Sequence, residues 1–301
     1  MSKQRAHKIS AMKKREMLAG YLFLLPASLC LLVWTIYPII NSFWYSLTDN
    51  DILNEAQFVG LRNYADLLHD ANWTAALGRT FRYVLMFVPA IYLISLAAAL
   101  LVKQLKRGSG FFRTAYYLPV VVSSVAAGAI FKLLLNSRMG LVNKLLDFLN
   151  IGPVNFLGQE NALVSCVFLA VWLGFGGNMI IFLAGLNDLP AVYYEAAKID
   201  GANSLQQFRY ITFPGLARTS IFVLTTSFIS SFQTYDVIKT LTNGGPNFST
   251  TLVVQHIYLN AFTHYKMGYA CAMTVVLFVI IFVVTMVQLK ITSRAADGLE
   301  G

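Results

Sequence analysis

The chain has 301 residues, of which 57% are hydrophobic and only 12% charged, against roughly 25% charged in an ordinary soluble domain. A water-soluble fold of this length cannot hide so much apolar surface, so the excess must meet lipid. The 23 Lys and Arg exceed the 14 Asp and Glu by nine. In a membrane protein that surplus reports orientation before it reports a nucleic-acid partner. Three scattered cysteines, Cys30, Cys166 and Cys271, form no disulfide framework, redox pair or zinc site.

About 20 apolar residues at 1.5 Å each cross the roughly 30 Å hydrocarbon core as a helix. Six stretches predict such spans, making the chain an all-α polytopic membrane protein with a single transmembrane domain over 1–301. The first, 17–40, follows a basic N-terminal segment as a secretory signal would, but its apolar run is too long for a signal core and is expected to stay as a helix. The next are 83–102 and 114–135; Lys132 near the end of the latter can snorkel to the headgroups. The last three are 161–187, 219–241 and 267–289.

Basic residues are lopsided between alternate connections. Fifteen lie before the first span, in the second and fourth connections and in the tail; far fewer, among them Arg62, Arg79, Arg138, Lys144 and Lys266, lie on the other side. The positive-inside rule then puts both termini in the cytoplasm, in agreement with an even number of spans.

Within the fourth span, Trp172 offers a flat aromatic face beside Gly174, Gly176 and Gly177. The connection at 188–214 is far longer than the 2–8 residues usual between bundled helices, and it predicts two short cytoplasmic helices. Asp188 can cap the first and Pro190 suits its first turn; Ala196 and Ala197 favour helix, and Gly201 can end it in the left-handed conformation. Ser204 and Gln207 have the spacing of a capping box for the second, which is expected to end near Pro214. The small side chains of Ala196, Ala197 and Gly201 leave a low surface that another protein can approach closely, with Glu195 ready to receive a basic group. Composition alone fits equally a hairpin that covers the ends of its own bundle.

Span five is the most polar. Thr226, Ser230, Gln233 and Thr234 recur at helical intervals and predict one hydroxyl- and amide-bearing face. Such a face suits neutral hydroxyl-rich ligands, and it suits ordinary membrane-helix packing as well.

Glu195-Ala196-Ala197, three residues to Gly201, nine to Ile211, then Phe213-Pro214 resembles the EAA loop of ABC importer permeases, with Phe213 where that family usually has Leu. Leu241 to Pro246 resembles the TNGGP signature of the carbohydrate-uptake branch, and Tyr21 to Pro26, Tyr37-Pro38 and Tyr116 to Pro119 fit the same branch. The resemblance implies a type I ABC importer permease fold in a bacterial-type inner membrane. It also implies a second, similar permease subunit, two copies of a cytosolic ATPase and an external solute-binding protein. Glu195, Ala196, Ala197 and Gly201 would be the coupling residues, and Thr226, Ser230, Gln233 and Trp172 candidates for the sugar path.

The residues also bound the mechanism. No Gly-Lys dipeptide occurs, so the chain lacks a phosphate-cradling loop; ATP and Mg are expected on the partner ATPase, with no cofactor or metal here. The spans carry no carboxylate or histidine at mid-membrane, Asp236 falling near the outer end of the fifth, which argues against an ion-coupled carrier. His7, His69, His256 and His264 all fall in connections, and neither HExxH nor GxSxG is present, so the chain is expected not to be an enzyme. A permease for a non-sugar solute, an ion-coupled carrier and a non-transporting scaffold are the competing readings.

Overall fold

The computed structural model describes residues 11–51, 56–105 and 107–300, apart from the side chains of 11, 12, 14 and 293–300. Expectations resting on Lys3, Arg5, His7, Lys8, Lys106 and the side chains of Lys14 and Arg294 lie outside the described residues.

Helix α1 (Ala11–Leu31) continues through a π-helical turn at Leu32–Ile36 into α2 (Tyr37–Ser46). Pro38, the second residue of α2, has no N–H to give. The wider bond from the Tyr37 amide to the Leu32 carbonyl opens the helix just ahead of its ring. A small antiparallel hairpin, β1 (Thr48–Asp49) with β2 (Gln57–Phe58), and α3 (Arg62–His69) lead to α4 (Ala71–Gln104). This helix starts well before the expected Tyr83, because Asp70 caps it by accepting the Asn72 and Trp73 amides at 2.8 and 3.2 Å. Its 34 residues span about 51 Å, longer than the hydrocarbon core, so its first turns project beyond the lipid.

The expected third span is two helices, α5 (Ser109–Val121) and α6 (Ser124–Leu134), bent by 94°. Three β-branched residues follow Pro119, and Val122 takes an extended conformation that breaks the run. After α7 (Leu141–Phe148), α8 (Ala162–Asp188) matches the fourth expected span. The long connection holds α9 (Ala191–Ile199) and α10 (Ser204–Gln207), a second π-helical turn at Phe208–Thr212, and α11 (Phe213–Gly215). The fifth expected span is likewise divided, into α12 (Ala217–Phe232) and α13 (Asp236–Leu241). Next come α14 (Val253–Tyr258), a π-helical turn at Leu259–Thr263, and α15 (Met267–Glu300).

Among the described residues four helical segments are long and apolar enough to cross a bilayer unaided: Arg15–Ser46, Ala71–Gln104, Ala162–Asp188 and Met267–Thr292. The core forms where α4 and α8 pack together with the broken segments. At one end Leu96, Ala99 and Val102 of α4 meet Met179, Phe182 and Leu186 of α8, with Leu216 and Val223 from the fifth segment. Further along, Tyr83, Phe87 and Ile91 meet Leu163, Cys166 and Leu169, closed by Ile238 and Leu241 of α13. Gly176 lets α8 approach α5 so closely that a Cβ there would strike the Tyr116 carbonyl. Gly128 does the same for α6 against Thr240. One broken segment is therefore locked to continuous α8, and the two broken segments to each other, at positions without side chains. By contrast, no residue in the apolar stretch of the first segment is buried within the chain, whereas α2 reaches α15 through Phe43 and Phe278, in edge contact at 6.5 Å.

Candidate coupling loop and translocation face

Helix α9 ends in a double hydrogen-bonded reversal. The Ala202 amide reaches the Ala197 carbonyl at 2.8 Å and the Gly201 amide reaches the Lys198 carbonyl at 3.1 Å, with Gly201 at φ +78°. This closure fixes the four-residue spacing between Ala197 and Gly201, because only a residue tolerant of positive φ can stand at the reversal. It also consumes the Ala202 amide, so the next helix can begin only beyond it. Its cap is accordingly Asn203, one residue before the expected Ser204. Asn203 Oδ1 accepts the Gln206 amide at 2.9 Å, and Gln206 Oε1 accepts the Asn203 amide at 2.8 Å. Gln207, freed from the expected box, donates from Nε2 to the Ala202 carbonyl at 2.9 Å.

One further expectation is corrected. Asp188 closes α8 and does not cap α9, which is preceded by extended Pro190. The second arm ends at Gly215, beside Pro214: the π-helical turn, closed by the Phe213 amide on the Phe208 carbonyl, admits the proline ring. Among the described residues α9 has no buried side chain. Glu195 and Ala196 are exposed and Ala197 half-buried. Tyr193, Ala196, Ala197, Asp200, Tyr210 and Pro214 line an open cleft of about 550 Å³ between the two arms. Lys103 at the end of α4 donates to the Leu186 carbonyl at 3.0 Å and to Asn187 Oδ1 at 2.8 Å, satisfying the carboxyl end of α8 where the loop leaves the bundle.

On α12, Thr226 and Ser230 are exposed, while Ser227 and Ser231, about 100° further round the helix, are buried. Thr226 donates to the Phe222 carbonyl and Ser230 to the Ser227 carbonyl, at 2.9 and 3.0 Å, so their donors are spent locally and their lone pairs face outward. Gln233 is also exposed, at the end of α12, beside an apolar cleft that includes Ile229, Ile257 and Phe278. Because the helix stops at Phe232, Thr234 leaves the expected face. Trp172 lies elsewhere, half-buried with its ring 5.2 Å from that of Phe131.

The TNGGP segment ties α13 to α14. The Gly244 carbonyl accepts from the Thr251 hydroxyl at 3.1 Å, and the Gly245 carbonyl from the Thr250 hydroxyl at 2.9 Å; Thr250 also pairs with Thr242 at 2.7 Å. Gly244 has φ +87°, and a Cβ there would crowd Thr251 and Gln255. Arg79 on the projecting turns of α4 donates to the Thr251 carbonyl at 2.9 Å, a link that sequence spacing did not signal.

This architecture is that of an ABC importer permease. Its backbone matches a chain of a bacterial alginate ABC transporter solved in complex with alginate pentasaccharide-bound periplasmic protein, at a TM-score of 0.83 and 21% identity over 94% of this chain and 96% of that one. The chain belongs to the family of binding-protein-dependent transport system inner membrane components, matched over residues 71–296. It is 34% identical to the arabinooligosaccharides transport system permease protein AraP of Bacillus subtilis, over 91% of this chain and 88% of that protein. It is 33% identical to the trehalose/maltose transport system permease protein MalF of Thermococcus litoralis, over 94% and 96%.

Proposed function

We propose that the chain is the six-span translocation subunit of an ATP-driven importer for an oligosaccharide, or for a related polyol or glycerol phosphate, delivered by an external solute-binding protein. On this reading α5 with α6 and α12 with α13 supply the two broken spans, and both termini are cytoplasmic. A second, similar permease would complete the path, and one of two ATPase copies would dock on the α9 corner; ATP and Mg would bind to the ATPases and not to this chain.

The observation that carries the reading is the α9 corner. An exposed helix with small Ala196 and Ala197 and acidic Glu195 projects from the bundle and turns at a left-handed glycine, beside an open cleft. Closure of the ATPase pair would draw the two corners together and tilt the bundles, opening the path alternately to each side. The exposed lone pairs of Thr226 and Ser230 and the amide of Gln233 would accept and donate to sugar hydroxyls along that path. Kinship with permeases named for arabinooligosaccharides and for trehalose and maltose supports the sugar assignment. Proteoliposomes holding the complete assembly should take up sugar only with ATP inside and binding protein outside. Uptake driven by an ion gradient without ATP would overturn the reading.

A further inference from the structure

An ATPase pushing on α9 does useful work only if the push reaches a span. Two features of the loop would let it leak away: α9 buries no side chain, and Gly201, at φ +78°, is held by backbone hydrogen bonds with nothing packed within 4 Å of its Cβ position. One side-chain bond crosses this corner to a buried point. Tyr194 Oη on α9 lies 3.0 Å from Thr212 Oγ1. Thr212 is 5% exposed and is the last residue of the π-helical turn. Its carbonyl accepts the Leu216 amide at 3.0 Å, and the Leu216 carbonyl the Ser220 amide at 2.7 Å, so helical bonding runs from Thr212 into α12.

We propose that Tyr194 and Thr212 are positioning residues forming a strut that transmits displacement of α9 to α12, the helix carrying the proposed sugar-facing side chains. The proposal rests on the functional reading above. The strut is braced from below: Thr212 Oγ1 lies 3.4 Å from the Gln207 carbonyl, and Gln207 Nε2 holds the Ala202 carbonyl beside the corner. With Thr212 donating to Gln207, the Tyr194 hydroxyl donates to Thr212, and the two arms move as one body. Without the tyrosine hydroxyl, rotation at Gly201 can absorb the push.

The test uses the full complex with its second permease, ATPases and binding protein. Tyr194→Phe removes one oxygen and leaves the ring; Thr212→Val removes the hydroxyl at nearly constant shape; Thr212→Ser keeps it. Sugar moved per ATP hydrolysed should fall roughly threefold to tenfold in the first two, the change expected from one net hydrogen bond. Basal hydrolysis and complex yield should be unchanged, and Thr212→Ser should restore the ratio. The double variant Tyr194→Phe with Thr212→Val should be no worse than either single one. A wild-type ratio in Tyr194→Phe, or a loss of complex yield in its place, would overturn the strut while leaving the importer reading intact. A wild-type complex that shows no ATP-driven uptake would instead remove the importer reading, and the strut with it.

Discussion

Asp70 shows how much one side chain can organise at the end of the bundle opposite the coupling loop. Its Oδ1 caps α4, its Oδ2 accepts the Tyr269 hydroxyl of α15 at 2.8 Å, and the same oxygen lies 3.7 Å from His256 Nε2 on α14. Burial works against the carboxylate, but the Tyr269 hydroxyl, the Trp73 and Asn72 amides and His256 together hold Asp70 below its ordinary range. Burial pushes the His256 imidazole down as well, against the opposing pull of Asp70 and with help from Arg79 and His264. A base with a depressed folded value contributes stability that is complete above its unfolded value of 6.5 and is lost as pH falls below it. The Asp70 contribution has the same sign but fades only at far lower pH, beneath the unfolded value of 3.8. The melting temperature of the purified protein is therefore expected to fall between about pH 7.5 and about pH 5.5, the window in which histidines charge. His256→Gln should flatten that fall, and an unchanged slope would exclude His256 as its source.

At the scale of elements, α12 divides its hydroxyls by face: Ser227 and Ser231 go inward, and Thr226 and Ser230 outward. If the outward face meets sugar, losing one hydrogen bond costs about 1 kcal/mol, or roughly fivefold in uptake. Ser230→Ala and Gln233→Ala should each show such a loss in sugar uptake, with assembly and ATPase binding unchanged; equal uptake in both would assign the face to packing. The 3.6-residue period made this face readable from sequence as far as Ser230, and the Ala197–Gly201 spacing made the corner readable, because both depend on local geometry. The capping box slipped by one residue because Asn203-Gln206 and Ser204-Gln207 are chemically equivalent pairs. The choice between them was made by the backbone bond from Ala202 to Ala197. The start of α4 was missed for a different reason: hydropathy marks where lipid begins, whereas Asp70 marks where the helix begins. The break after Val121 has a local cause in the run from Pro119 to Val122, but the packing of the broken pieces depends on contacts such as Gly128 with Thr240, between residues far apart in sequence. No window of sequence contains both partners.

At the scale of the whole molecule, the chain's low charge content leaves few sites at which a soluble partner could be held electrostatically. The 12% of residues that are charged gather mainly in connections and at the ends of helices. Glu195, with Asp200, is one of two exposed acidic residues at this corner, and it lies on the helix beside alanines that permit close approach. It is therefore expected to anchor the ATPase through a basic group, in a contact where like charges would cost several kcal/mol. Glu195→Lys would put a cation against that group without touching the bundle, since α9 buries no side chain. The variant should still insert and still purify with its second permease. Recovery of the ATPase should drop at least about tenfold, a change of roughly 1.4 kcal/mol or more in that contact. A compensating acidic substitution on the ATPase surface should restore part of it. The two readouts separate the surfaces: loss of both partners together would mean that Glu195 supports the fold of the bundle, and wild-type recovery and uptake would remove it from the coupling contact.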